Sequence, residues 1–185
     1  MDWTTNLRKR PMARIPYYDL SQAPESYTRL IAARPPLNLY RMLAHAGKTA
    51  EGFLALGSAI LRENTLDAKL REIAILRTGI LCGASYEVHQ HRRVARRVGL
   101  SDDKIDALGK DADRSALDAT ETLVLEFTDQ VVLHVKAPDA MFEALCARLP
   151  HGQVAELVLV IGFYMLVSRF LENFEVDIEP PGAVG

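Results

Sequence analysis

The stretch that decides the fold is Leu70–Leu100, LREIAILRTGILCGASYEVHQHRRVARRVGL. Leu70, Ile73, Leu76 and Ile80 recur at helical spacing, which predicts a helix over 68–81 with Asp67 as its N-cap. The small residues Cys82, Gly83, Ala84 and Ser85 then form a hinge. A second helix is predicted over 84–98, with Val88, Val94, Ala95 and Val98 apolar and Gly99 as its stop. Two helices meeting at a hinge set an all-helical pattern. The same stretch holds Glu72, Cys82, Tyr86, Glu87, His89 and His91, a density of reactive groups that His45, His134 and His151 lack in their own surroundings.

The rest of the chain continues that pattern. Helical periods predict elements over 24–33, 37–46, 49–62, 116–134, 138–149 and 152–174, and Ser101-Asp102-Asp103-Lys104 reads as the start of a short helix ending near Leu108. No segment alternates with period two. The expected class is all-α: one helical domain over 24–175, an extended N-terminal arm over 1–23 punctuated by Pro11 and Pro16, and a loose tail over 176–185.

Composition bounds the function. Hydrophobic residues make up 49% and charged residues 25%, ordinary values for a globular protein, and the net charge of −2 argues against a nucleic-acid or anionic-membrane surface. The longest uninterrupted apolar run, Leu157–Val167, is shorter than the roughly 20 residues that span a bilayer, so a buried helix is expected there. Cys82 and Cys146 form no Cys-x-x-Cys pair, which excludes a disulfide framework and a thiolate zinc site and fits a reducing cytoplasm. The N-terminus has no apolar segment of the secretory kind.

Glu87 and His91 are four residues apart on one helix and share a face. A carboxylate there orients the imidazole and raises its pKa, giving an acid–base dyad. The spacing alone is common on solvated surfaces. Glu72 shifts the balance: it is an acid flanked by Ile73, Ala74 and Ile75, and a buried carboxylate needs a partner. If the hinge folds the helices together, His91 is that partner, whereas His89 points away. These three side chains include ligand types of an iron or zinc site, but no doubled histidine helix signature is present, so metal-free chemistry with no cofactor is expected. Cys82, just before the second helix, reads either as a small buried hydrophobe or as a thiol activated by a helix N-terminus. Tyr86 and Tyr164 offer hydroxyls, Arg169 offers a cation for a substrate carboxylate, and Ser168 has no assigned role.

The segments REIAILR and SYEVHQHRRVARRVGLSDDKI, with LVLVIGFYMLVSRFLEN near the end, resemble the carboxymuconolactone decarboxylase family, which shares its fold with the alkyl hydroperoxidase D-like proteins. In the peroxidase branch a glutamate precedes a Cys-x-x-Cys pair, with a histidine four residues after the second cysteine. Aligned through Glu72 and His91, those cysteine positions hold Ala84 and Glu87, and Cys82 lies outside the register. The resemblance is therefore to the decarboxylase-type branch. It implies a homo-oligomer, trimeric or hexameric, acting without cofactor on a small organic acid or lactone, with His91 as proton donor and Glu72 or Glu87 orienting it. The alternatives are a peroxide-reducing antioxidant that uses Cys82, and a non-catalytic oligomer that binds a ligand.

Overall fold

The computed structural model describes residues 13–180 and residue 182. Among these residues there are nine α-helices, two short 3-10 turns and no strand. They fall into two compact units, one built from the two ends of the chain up to Leu56 and from Phe170, the other from Gly57–Arg169.

The first unit holds a 3-10 turn over Leu20–Gln22, helix α1 (Glu25–Ile31), helix α2 (Asn38–Leu43), a second 3-10 turn over Ala44–Ala46, and the start of α3 (Lys48–Arg62). Its core is Tyr27, Leu43, Ala44, Ala50 and Leu54, with Tyr18, Leu39, Phe53 and Phe170 packed against it. Burying the Tyr27 ring requires a partner for its hydroxyl, which donates to the Tyr40 carbonyl at 2.6 Å. The described part of the arm is tied down by polar contacts: the Arg14 amide donates to the Phe174 carbonyl at 2.9 Å, and the Tyr17 hydroxyl to the Asp177 carboxylate at 2.9 Å. Arm residues 1–12 lie outside the described residues.

The segment just past Phe174 differs from the loose tail expected there. Val176 and Glu179 are buried, and Asn38 donates from its backbone to the Glu179 carboxylate and from its side chain to the Asp177 carbonyl. Pro180 and Pro181 read as a break in secondary structure, but Asp177 and Glu179 hold the preceding residues by hydrogen bonds that leave no helical or strand period to detect.

The second unit contains the end of α3, then α4 (Ala68–Cys82), α5 (Ser85–Arg97), α6 (Asp102–Asp106), α7 (Ala119–His134), α8 (Asp139–Cys146) and most of α9 (His151–Phe174). Helix α4 is its centre and packs on both α5 and α7. Every residue from Glu72 to Gly79 is buried, so α4 is enclosed all round rather than along one stripe. It starts where Asp67 accepts from the Lys69 and Leu70 amides. Its one interior arginine is fully engaged. Arg77 is 3% exposed, grips both Asp129 oxygens on α7 at 2.5 and 2.8 Å, and donates to the carbonyls of Leu108 and Gly109 at 2.9 and 2.7 Å. Such a bidentate, fully satisfied pair fixes which faces of α4 and α7 meet.

Two glycines shape the turn between α4 and α5. Gly83 takes a left-handed conformation (φ 71°), with its amide on the Gly79 and Ile80 carbonyls, which ends α4. Gly79 allows close approach: a Cβ there would lie 3.2 Å from a Val88 methyl and 3.5 Å from Glu87 Cγ. Gly79→Ala gains about 1 kcal/mol of helix propensity but forces α5 outward at a cost of about 1–3 kcal/mol. We expect net destabilisation in urea and, because the crowded residue Val88 adjoins Glu87 on α5, a measurable shift of the His91 ring resonances.

The long helix predicted from Ala116 begins three residues later, at Ala119. Asp118 is its N-cap and forms a reciprocal capping box with Glu121, which sets the start. Helix α9 spans 24 residues, and its length and apolarity satisfy the requirements of a membrane crossing, although the uninterrupted run within it is shorter. Half of its most apolar window is buried within the fold, as in the core helix of a globular protein.

Candidate active site

Helices α4 and α5 of the second unit bring Glu72, Glu87 and His91 together. Glu72 is fully buried, Glu87 is 3% exposed and His91 is 8% exposed. The imidazole lies between the two carboxylates. Its Nδ1 is 2.6 Å from Glu72 Oε2, and its Nε2 is 3.0 Å from Glu87 Oε1. The first is a short, charge-assisted hydrogen bond across the two helices. The second is the i, i+4 contact along α5, an ion pair whose alignment falls short of a hydrogen bond.

Burial works against a charged imidazole. The negative charges of Glu72 and Glu87 outweigh it and raise the His91 pKa from 6.5 to about 10. At neutral pH the ring is therefore an imidazolium with both N–H groups directed at carboxylates. Each ring nitrogen faces a different carboxylate, and the three side chains do not converge on a common point. Among the described residues no group of three His, Cys, Asp or Glu side chains is arranged to hold a metal ion.

A third element completes the surroundings. Tyr164 of α9 is buried and meets the His91 ring edge-on, with centroids 5.0 Å apart and an interplanar angle of 82°. Phe163 packs edge-on against Tyr164 in turn, 5.5 Å away. The sequence offered Tyr164 as a hydroxyl; the structure brings its ring to the imidazole.

Other sequence candidates take different places. Tyr86 is buried at 2% exposure, beside Glu87 in the chain. Cys82 is half-buried and is the last residue of α4, so it occupies a carbonyl end and not the helix N-terminus that its position before α5 suggested. The reason is Gly83: the left-handed cap lets α4 run one residue past the predicted end. Ala84, buried and N-cap to α5, separates Cys82 from that helix. Arg169 is exposed and donates to the Met165 carbonyl of its own helix at 2.9 Å. Five residues from Tyr164, it falls about 140° around α9 from the tyrosine that meets His91. His89 is exposed.

Sequence reasoning passed over Arg77 and left Ser168 without a role. The signal for Arg77 was the one that exposed Glu72: a charge inside an apolar run, here Ile75-Leu76-Arg77. A separate apolar hollow of about 390 Å³ lies among Phe127, Val131, Val135, Phe142 and Val158, and none of the triad residues lines it.

Comparison with known proteins places this geometry. Residues 47–130, which include the whole triad, match the model of the carboxymuconolactone decarboxylase family. No curated protein matches the chain by sequence. Several solved structures share its fold. An uncharacterised peroxidase-related protein of Ralstonia eutropha JMP134, with an alkylhydroperoxidase AhpD core, has a TM-score of 0.80 at 19% identity over 91% of this chain and 93% of that one. An uncharacterised peroxidase-related protein of Silicibacter sp. TM1040 has a TM-score of 0.73 at 18% identity over 91% and 89%. The debrominase Bmp8, solved as a cysteine-to-alanine variant with 2,3,4-tribromopyrrole, has a TM-score of 0.74 at 17% identity over 92% of each chain. The family match over residues 47–130 covers the α4–α5 segment that carries the triad, and the solved structures share the all-helical architecture around it: the chain has an alkyl hydroperoxidase D-like fold with a segment that matches the carboxymuconolactone decarboxylase family.

Proposed function

We propose that the chain is a cofactor-independent, decarboxylase-like or lyase-like enzyme that moves a proton on a small organic acid or lactone. The observation that carries this reading is the buried imidazole held between the carboxylates of Glu72 and Glu87. An acid with a pKa of about 10 gives its proton only to a strongly basic atom. A carbanion delocalised into a carbonyl, formed when a carboxylate leaves as carbon dioxide or a proton leaves carbon, is such an atom. In the decarboxylation case the C–C pair passes into the carbonyl system, His91 delivers its proton to carbon, and solvent restores the imidazolium. Glu72 holds Nδ1, so Nε2 on the Glu87 side is the nitrogen that gives and takes. The test is a turnover screen over lactones and keto acids with wild type and His91→Gln in parallel.

Peroxide reduction is the second reading, favoured by the peroxidase-related proteins that share the fold. It rests on Cys82 alone, since Ala84 and Glu87 stand where the redox pair would be. Cys82→Ser is expected to leave acid–base turnover within about twofold, as a substitution that removes no interaction of the triad should. Thiol-dependent peroxide consumption by wild type that disappears in this variant would instead establish the rival.

The same reading includes a cytoplasmic homo-oligomer that binds a small molecule and neither nucleic acid nor membrane. Exposed apolar side chains on α9, Val158, Leu159 and Leu166, support a contact between subunits, because isolated chains rarely leave such a row in water.

A further inference from the structure

Of the two carboxylate contacts on the His91 ring, only that of Nδ1 with Glu72 Oε2 is a directed hydrogen bond; at Nε2 the alignment with Glu87 falls short of one. The χ2 torsion of a histidine is broad, so one directed bond leaves the ring free to tilt about it, and the nitrogen that swings is Nε2. The remaining constraint comes from α9. Tyr164, 3% exposed, meets the imidazole with centroids 5.0 Å apart at 82°, and Phe163, 7% exposed, meets Tyr164 at 5.5 Å and 85°. Perpendicular contacts at such separations are a favoured aromatic geometry, and buried rings packed this way resist tilting.

Phe163 is itself seated. The tip of its ring lies over Gly57 of α3, where a Cβ would be 3.0 Å from Phe163 Cζ and 3.3 Å from Cε1. Gly57 sits in ordinary helical backbone, without the positive φ that calls for glycine. A glycine inside a helix is unfavourable relative to alanine, and the space it leaves here is the space the ring occupies. Gly52, earlier on the same helix, offers no such seat: a Cβ there would meet nothing within 4 Å. An unbroken series of contacts therefore runs from Gly57 through Phe163 and Tyr164 to His91.

We propose that Phe163 and Tyr164 are positioning residues of the His91 centre: the Gly57 seat fixes Phe163, Phe163 fixes Tyr164, and Tyr164 holds the imidazole at the tilt that keeps Nε2 beside Glu87. Phe163 acts only through Tyr164, and Gly57 only through Phe163. The catalytic consequence rests on the acid–base reading, in which Nε2 delivers the proton; the ring geometry does not. A proton donor must aim its N–H at the atom it serves, and a misplacement of about 1 Å costs about 100-fold in rate. Helix α3 carries none of the triad, yet through this one glycine it helps to aim the donor.

The test compares Gly57→Ala with Gly52→Ala, which adds the same methyl to the same helix where it meets nothing. In Gly57→Ala the Phe163 ring must give by a few tenths of an ångström. Passed on to the imidazole, that displacement is expected to lower the His91 titration midpoint, followed by imidazole NMR on the full chain, by about half a unit, a fraction of what a whole neighbouring charge supplies. On the lactone or keto acid found in the turnover screen, kcat is expected to fall about three- to tenfold with KM unchanged. Gly52→Ala is expected to change neither. Phe163→Leu removes the ring tip and the support of Tyr164, so it should lower the midpoint by itself, and adding Gly57→Ala to it should lower the midpoint no further. A wild-type titration in folded Gly57→Ala or in folded Phe163→Leu overturns the proposal, and either variant decides it if the other does not fold. A shift of equal size in Gly52→Ala also overturns it. Because the titration is read without turnover, a lowered midpoint in a chain that converts no substrate rejects the catalytic reading and leaves the positioning role standing.

Discussion

His91→Gln is expected to remove turnover, by about 10²–10⁴-fold, the range over which a positioned acid–base group acts. Glutamine keeps a similar reach and a hydrogen-bond donor but cannot carry the proton. The same substitution tests stability. It leaves Glu72 and Glu87 buried without the cation between them, and breaking a buried ionic set by removing one partner costs about 3–5 kcal/mol. Part of that loss is recovered at low pH, where a carboxylate takes up the missing proton. The wild type shows the opposite trend at high pH. The folded His91 pKa is raised, to about 10, above an ordinary unfolded value of about 6.5. Its contribution is therefore fully present below pH 6.5 and declines as pH rises toward 10. Urea midpoints at pH 6, 8 and 10 should fall in that order for wild type, and the contribution of this site to the fall should be absent in His91→Gln. Undiminished turnover in the variant would remove His91 from the mechanism.

Glu72→Gln carries the second large effect. The amide preserves the shape of the side chain and an oxygen for Nδ1, but the deeper of the two negative charges is gone. With only Glu87 opposing the cost of burial, the His91 pKa should drop by about 1–3 units, the usual influence of one adjacent charge. A titration followed by imidazole NMR measures this directly. Turnover should then be lost at a lower pH than in wild type, because above the lowered pKa the ring no longer carries the proton it delivers. An unmoved His91 titration would show that Glu87 alone sets the proton affinity. That outcome would reassign Glu72 to structure.

How far the sequence reveals this protein depends on the range of the interaction involved. Glu87 and His91 are legible because four residues on a helix is one turn, a purely local geometry. Glu72 is legible because an acid in an apolar run is costly, and the cost announces a partner without naming it. The helices themselves follow from periodicity, and the start of α7 could have been read from the Asp118–Glu121 box. Of the two readings of Cys82, the one at a helix N-terminus fails because one left-handed glycine decides which helix the cysteine ends. Nearness in sequence to Tyr164 does not put Arg169 on the same face, because five residues is not a helical repeat. The tied segment after Phe174 was illegible for a different reason: Asp177 and Glu179 find partners some 140–160 residues away in the chain, and no local pattern encodes them.

The edge contact of Tyr164 with His91 has a consequence for the direction in which protons travel. A ring hydrogen-bonded or ion-paired at both nitrogens and packed at right angles to an aromatic ring cannot turn over without releasing both carboxylates. Its nitrogens keep separate identities: Nδ1 always looks inward to the fully buried Glu72, and Nε2 always looks along α5 to Glu87. A histidine free to rotate can take a proton on one side and deliver it on the other by spinning. This one works without rotation, so any proton that leaves by Nε2 must be replaced through Nε2 or passed across the ring from Glu72. The site is thus one-sided in time as well as in space, and a hydrogen taken from a substrate has the same atom to return through.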